Sequence, residues 1–321
     1  MAESKTVSLI TIRHKKKMAA KDKIFYVCIY TFFMLFAVVT LYPVINMLAY
    51  SLNEHVDAVL GHIYLLPRKW SLENYDRMIF PDIAIWKNYR EISFRHQHFL
   101  QGIAISTART AIGTLTALAS NAFLAYILSR KRFMFKSGLS LFWIIAMFTQ
   151  GGVVPLATTY ILYRYFHLGH SFWVYIVPNL VSIVYVMAIR TYMKSIPDSF
   201  EEAAQLEGAG HLRIFWSIIS PICKPVYAAI AIFIASYHWN SWFDTQLYNR
   251  MDPQYTTIQY ELLKFFSEAR ITTSGVEYCN SPTPHTVKAA AYIIAMIPLT
   301  IVYPFFQRYF ISGLTIRGIK D

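Results

Sequence analysis

Six stretches of this chain run for 19 to 30 residues without one Asp, Glu, Lys or Arg: residues 24–53, 110–129, 137–163, 165–189, 225–243 and 289–307. The hydrocarbon core of a bilayer is about 30 Å thick, and a helix rising about 1.5 Å per residue crosses it in about 20 residues. Lipid offers no partner for backbone N–H and C=O groups, so each run must satisfy its own as a helix. The expected fold class is therefore an all-α polytopic membrane protein with six transmembrane helices. Composition agrees, since 55% of the chain is hydrophobic and only 15% charged, where soluble domains carry roughly 25% charge.

Basic residues between the runs give an orientation, because Lys and Arg collect on the cytoplasmic side. The first 23 residues hold Lys5, Arg13, Lys15, Lys16, Lys17, Lys21 and Lys23. The loop between runs two and three holds Arg130, Lys131, Arg132 and Lys136, and the tail holds Arg308, Arg317 and Lys320. With six spans these segments share one side, which puts both termini in the cytoplasm. This placement accounts for most of the formal net charge of +12 without a nucleic-acid partner. The first run is too long for a signal-peptide core and lacks a small-residue cleavage site, so it is expected to stay as an anchor.

The resulting organisation is a basic segment over residues 1–23 followed by a helical membrane domain over 24–321, with external segments near 54–100 and 246–286 and a cytoplasmic loop near 195–222. The external segments are too long to be plain turns. They are open to two readings, a lid packed on its own helices or a surface for an external partner; residues 258–266 (IQYELLKFF) have the amphipathic pattern of a helix.

The cytoplasmic loop carries the densest pattern. Ser199 with Glu202 three residues on reads as a capping box, so a helix is expected to begin there. Gly208 and Gly210 read as its C-terminal cap. A second short helix is expected from His211 to Ile219, broken by Pro221 and Pro225. Glu202-Ala203-Ala204, three residues, Gly208, nine residues, Ile218 and then Pro221 resembles the EAA motif of permease subunits in bacterial binding-protein-dependent ABC importers. Ser220 departs from the leucine usual before that proline. Gln150-Gly151-Gly152-Val153-Val154-Pro155 and His238-Trp239-Asn240-Ser241-Trp242-Phe243-Asp244 extend the resemblance to the MalG-like carbohydrate permeases, LplC-like branch, over most of the chain from about residue 24.

The resemblance implies a type I ABC importer permease (MetI-like) fold in a bacterial plasma (inner) membrane. It also implies a second homologous permease, two ATP-binding subunits holding ATP and magnesium, and an external or periplasmic solute-binding protein. The loop would be the element that seats in an ATPase cleft and passes its closure to the membrane helices. Small Ala203, Ala204, Gly208 and Ala209 suit close approach there, and Leu206, Leu212, Phe215 and Trp216 offer apolar anchors, with Glu202 and Pro221 completing the set. Glu202 has two roles open to it, capping its own helix or accepting an Arg from the partner.

No GxxxxGK[ST] phosphate loop, HExxH or GxSxG occurs, so the chain is expected to be non-catalytic, to bind no cofactor or metal, and to take its energy from partners. His96 and His98 form an HQH phrase without nearby ligands of suitable spacing, and an interfacial pair is the simpler reading. Cys28, Cys223 and Cys279 have no metal or disulfide spacing.

For the substrate path the candidates are Gln150, Gly151 and Gly152 at a break inside run three, together with Trp239, Asn240, Trp242, Asp244 and Arg109. The aromatic cluster of Trp239, Trp242, Phe243 and Tyr248 offers flat faces that suit sugar rings, with Asn240 and Asp244 as hydrogen-bonding partners, although tryptophan also belongs at membrane interfaces. Arg109 and Lys288 either snorkel or face a lumen and favour anionic groups. The implied cargo is an oligosaccharide or polysaccharide, with uronate-rich ones such as alginate among those carried by the branch. The rival from another class is a stand-alone secondary transporter driven by an ion gradient, which would place carboxylates near the bilayer midplane; none of the six runs contains one.

Overall fold

The computed structural model of the chain describes residues 20–79, 90–130, 136–149, 156–268 and 284–315. Among them every regular element is helical, with an isolated antiparallel bridge between Asn53 and Trp70. The first long helix, α1 (Ala20–Ser51), is followed by two short helices, α2 (His55–Val59) and α3 (Glu73–Ile79). Helix α4 (Arg90–Ser129) starts well ahead of the second apolar run, so residues 90–100 of the segment expected near 54–100 are helical and continuous with it. Then come α5 (Lys136–Thr149), α6 (Leu156–Tyr165) and α7 (Ile183–Lys194).

On the far side of α7 lie the short helices α8 (Ser199–Leu206), α9 (His211–Ile214) and α10 (Ser220–Ile222), with a π-turn over Phe215–Ile219 joining the last two. Helices α11 (Lys224–Asn240), α12 (Phe243–Tyr248), α13 (Ile258–Glu268) and α14 (Pro284–Thr315) complete the chain.

Three of these helices are long and apolar enough to cross a membrane over Lys21–Ser51, His98–Ser129 and His285–Pro304. Two bent pairs raise the number to five if each pair counts as one span: Phe172–Asn179 with Ile183–Lys194, bent by 46°, and His211–Ile222 with Lys224–Asn240, bent by 81°. The third apolar run is divided between α5 and α6, and its glycine-proline phrase at 150–155 lies outside the described residues.

The fourth run corrects the sequence reading, because it is not one helix. After α6 the chain takes left-handed backbone at His167 and His170 (φ +54° and +59°) and passes through two 3₁₀ turns, Phe172–Tyr175 and Val177–Asn179, before α7 begins. Pro178 lacks the N–H a continuing α-helix would need. Buried Tyr175 offers another reason, since its hydroxyl donates to the Tyr255 carbonyl at 2.7 Å and anchors the turn to a distant loop.

The main core lies where α4, α7 and α11 meet. It joins Ala117, Ala125 and Leu128 of α4 to Val186, Ile189 and Met193 of α7 and to Ile230 and Ile234 of α11. Small α4 residues let the neighbours approach closely, as helices must when lipid supplies no hydrophobic drive between them. Helix α13 forms where the amphipathic phrase predicts one. Its Ile258 and Leu262 pack with Phe99, Trp239 and Val287, so this face of α13 rests on the chain's own helices. A Cβ on Gly102 would stand 3.1 Å from the Ile258 nitrogen, which is why that turn of α4 needs glycine.

Beyond α1, Asn53 organises a polar cap. Its Oδ1 accepts from the backbone N–H groups of Arg68 (2.8 Å) and Lys69 (3.0 Å), and its amide donates to Asp57 Oδ2 (3.0 Å). Arg68 Nε donates to the same carboxylate oxygen at 3.0 Å.

Candidate functional site

Two assemblies of polar and aromatic side chains stand at opposite ends of the α4–α11 pair. At the first, Arg109 of α4 is 0% exposed and forms an ion pair with Asp244 of α12. The guanidinium also donates toward His238 Nδ1 and the Ser241 carbonyl, each at 3.4 Å, and lies 4.5 Å over the Tyr175 ring. Ser241 Oγ donates to Asp244 Oδ2 at 3.0 Å. A buried cation is tolerable only when paired and hydrogen-bonded, and this surround supplies both conditions. The Arg109–His238 contact requires Nδ1 of His238 to be the unprotonated nitrogen.

Gly113 permits this arrangement. One helical turn beyond Arg109, an added Cβ would stand 2.5 Å from Nε2 of the His238 ring, closer than any side chain can sit.

Around Asp244 the tyrosines gather. Tyr160 and Tyr163 of α6 share a helical face. The Tyr160 ring stacks on Tyr248, with centroids 5.8 Å apart and planes at 12°, while Tyr163 meets Tyr248 at 5.5 Å. Tyr248 lies one helical turn beyond Asp244 on α12, and the Tyr237 carbonyl accepts at 3.1 Å from the N–H of Ser241, whose hydroxyl reaches Asp244.

The second assembly is a knob built by α8 to α10. Gly208 has φ +79°, its N–H donates to Gln205 O (3.0 Å), and the Ala209 N–H donates to Ala204 O (2.9 Å). These are the two bonds of a Schellman cap, as the glycine spacing predicts. The capping box does not form: Asp198, rather than Ser199, occupies the N-cap position, and no side chain caps the backbone there. Glu202 is exposed, so its capping role gives way to an outward-facing carboxylate.

Fastening of the knob to α4 comes from residues that sequence reasoning missed. Arg130, just past the end of α4, pairs with Glu201 and sits 4.9 Å over the Tyr126 ring. The Tyr126 hydroxyl donates to His211 O at 3.4 Å, and Tyr126 and Phe123 pack on Phe215 at 5.1 and 5.9 Å. A basic residue at a span end and an acid in a facing loop were visible in the sequence; their pairing needed the third dimension.

The predicted coupling residues therefore divide. Glu202, Ala203, Leu206, Gly208 and Pro221 are exposed and Ala209 is half-buried, with Leu206 90% exposed. Ala204 and Phe215 are instead buried in the chain's own core, Phe215 at 2% exposure, so Phe215 is a prop beneath the knob and not a free anchor. Leu212 and Trp216 remain outside.

The predicted path residues divide too. Trp239 is buried and its indole donates to Ala295 O at 2.9 Å, which makes it a packing residue between α11 and α14. Arg109 neither snorkels nor presents a free charge. Asn240 and Trp242 are exposed, and Asp244 is partly so, its side chain 21% exposed. Gln150, Gly151 and Gly152 lie outside the described residues. Among the described residues no group of three or more His, Cys, Asp or Glu could hold a metal ion.

No protein-family model matches the chain. Individual proteins do. It is 27% identical over 307 residues to the polygalacturonan/rhamnogalacturonan transport system permease protein YtcP of Bacillus subtilis, covering 94% of this chain and 99% of the relative. It is 26% identical to protein LplC of the same organism, over 96% and 98% of the two chains. Among solved structures it is similar to a chain from the crystal structure of a bacterial ABC transporter involved in the import of the acidic polysaccharide alginate. That match has a TM-score of 0.76 and 26% identity, and covers 92% of this chain and 99% of the other.

Proposed function

From curated homologues that are sugar ABC transporter permeases, we infer that this chain is the membrane-spanning permease subunit of an ATP-driven importer for carbohydrate. Homologues of this kind are transport subunits of membrane complexes that work with ATPase and solute-binding proteins in general. The observation that carries the reading for this chain is the knob. It is a glycine-capped pair of short helices that turns Glu202, Ala203, Leu206, Leu212 and Trp216 outward and is fastened by Arg130 and Tyr126 to a membrane-length helix.

In the proposed assembly the chain forms half of a translocation pore with a second homologous permease. Two ATP-binding subunits, holding ATP and magnesium, seat against the knob, and an external or periplasmic solute-binding protein delivers the sugar. Six spans with both termini cytoplasmic, in a bacterial plasma (inner) membrane, are the proposed topology. Cargo is proposed to be an oligosaccharide or polysaccharide; the names of YtcP and of the alginate transporter support trying acidic ones first. Arg109 does not strengthen that preference, because its charge is spent on Asp244.

Reconstitution in liposomes tests the proposal. Uptake of labelled oligosaccharide that requires ATP, the partner permease, the ATPases and the binding protein together is the expected result. Uptake by this chain alone, driven by a proton or sodium gradient, would overturn it in favour of a secondary transporter.

A further inference from the structure

Three features outside the knob were candidates for a ligand surface: the apolar flank of the cap beyond α1, the His170–Asp252 pair and the tyrosines around Asp244. Only the last combines flat aromatic faces, a carboxylate and a rigid backing.

Tyr163 and Tyr248 pack against buried Val174 and Tyr175, so their rings are held in place rather than free to swing. Tyr160 lies stacked on Tyr248, half-buried, with part of its surface still open. Tyr237 is 48% exposed on α11. In their midst is the partly exposed Asp244 carboxylate, whose hydrogen bonds among the described residues both fall on Oδ2, leaving Oδ1 to accept from something else.

A carboxylate opening directly onto lipid tails is costly. Water or a hydrated ligand is therefore what the wall that carries it is suited to face. Aromatic faces beside a fixed acceptor are the combination that binds a pyranose, whose ring presents C–H groups to one face and hydroxyls along its edge. Arg109 is buried behind the carboxylate with its charge neutralised, so the surface reads ring faces and hydroxyls and not the charge of a uronate.

We propose that Tyr160, Tyr163, Tyr237 and Tyr248 with Asp244 form a pyranose-binding subsite on the translocation path, in which Tyr248 and Asp244 keep the sugar-facing role expected of them while Trp239 and Arg109 serve as its backing. The proposal rests on the carbohydrate-permease reading and locates the ligand within it.

The test uses the full complex with partner permease, ATPases and binding protein, in a background whose native cysteines are replaced by alanine. Probes are tetragalacturonate, tetramannuronate and maltotetraose. Tyr160→Ala should lower the saccharide carried per ATP hydrolysed about three- to tenfold, the range of one lost stacking contact, while Tyr160→Phe should keep most of it. Tyr160→Cys should react with a membrane-impermeant thiol reagent, and a transported probe should slow that reaction. Normal transport by Tyr160→Ala, or labelling of Tyr160→Cys that no transported probe slows, overturns the subsite and leaves the permease reading intact. A wild-type complex that carries none of the probes overturns the permease reading itself. Should Tyr160→Ala fail to assemble, the Cys and Phe variants still decide.

Discussion

Replacing Asp244 with Asn keeps the size of the side chain and removes its charge, which isolates the Arg109 pair. The guanidinium is fully buried and would lose its only described anionic partner. Breaking a buried pair by removing one member costs about 3–5 kcal/mol. The Tyr175 ring at 4.5 Å and the Ser241 carbonyl at 3.4 Å would remain, and the partial exposure of Asp244 lets water reach the site. Those residual contacts place the expected loss at the low end, about 3 kcal/mol. At about 2–4 °C per kcal/mol for chains of this order of size, the unfolding midpoint should fall by about 6–12 °C. A thiol-reactive fluorophore that reports exposure of buried Cys223 in detergent would read it. Arg109→Met combined with Asp244→Asn should recover most of the loss, because no uncompensated charge is left. A single variant that melts with the wild type, or a double variant worse than the single one, would refute the account of Arg109 as a charge neutralised in place.

Gly113→Ala should be destabilising by about 1–3 kcal/mol, as overpacking is, since the new methyl meets the His238 ring; combined with His238→Ala it should cost clearly less than the sum of the two single changes. Gly208→Val imposes left-handed backbone on a branched residue, a strain of about 1–2 kcal/mol, at a position with open space around it. It should weaken co-purification of the ATPase subunits while leaving membrane insertion unchanged. In the cap beyond α1, the Asn53 amide and, after it, Arg68 hold the Asp57 carboxyl below the usual carboxylate range against the opposing pull of burial. A depressed folded-state value means the carboxylate's contribution is complete above the unfolded value near about 4 and is lost as pH falls through the folded one. Amide exchange across residues 55–70 should therefore be flat from pH 8 to about 5, after correction for intrinsic rates, and rise only in stronger acid; Asn53→Ala should shift that rise to higher pH.

What could be read from the sequence followed from local chemistry. Apolar run length located α1, the inner part of α4, α11 and α14, because lipid fixes a minimum helix length. The Gly208 cap was legible because a left-handed residue after a helix is most often glycine. The amphipathic phrase at 258–266 was legible as a helix for its 3.6-residue period. Run length failed between 165 and 189, where absence of charge could not reveal that Tyr175 is drawn to Tyr255 and Thr245 and interrupts the helix. The site was less legible. Arg109 and Asp244 stand 135 residues apart, and nothing local distinguishes a paired buried arginine from a snorkelling one. Trp239 was assigned to the path for its ring, yet what fixes its role is the Ala295 carbonyl on another helix. Tyrosine in an apolar run is ordinary, so nothing local marks Tyr160 and Tyr163; their contacts with Tyr248 of α12, one turn from Asp244, give them meaning.

The two assemblies are mechanically one. From Arg109 to Arg130 the chain advances 21 residues, about 31 Å of helix, or one hydrocarbon thickness. Arg109 ties the far end of that rod to Asp244, just past α11, and Arg130 ties the near end to Glu201, in the knob that leads into α11. Between the ties, small residues of α4 lie against Ile230 and Ile234, and Gly113 receives the His238 ring. Sliding α4 along α11 would break both ion pairs and drive the ring into the helix. Rotation of the two helices as a unit breaks none of these contacts. A push on the exposed face of the knob would therefore reach Asp244 as a tilt of one rigid body, with the compliance left to the segments that flank it.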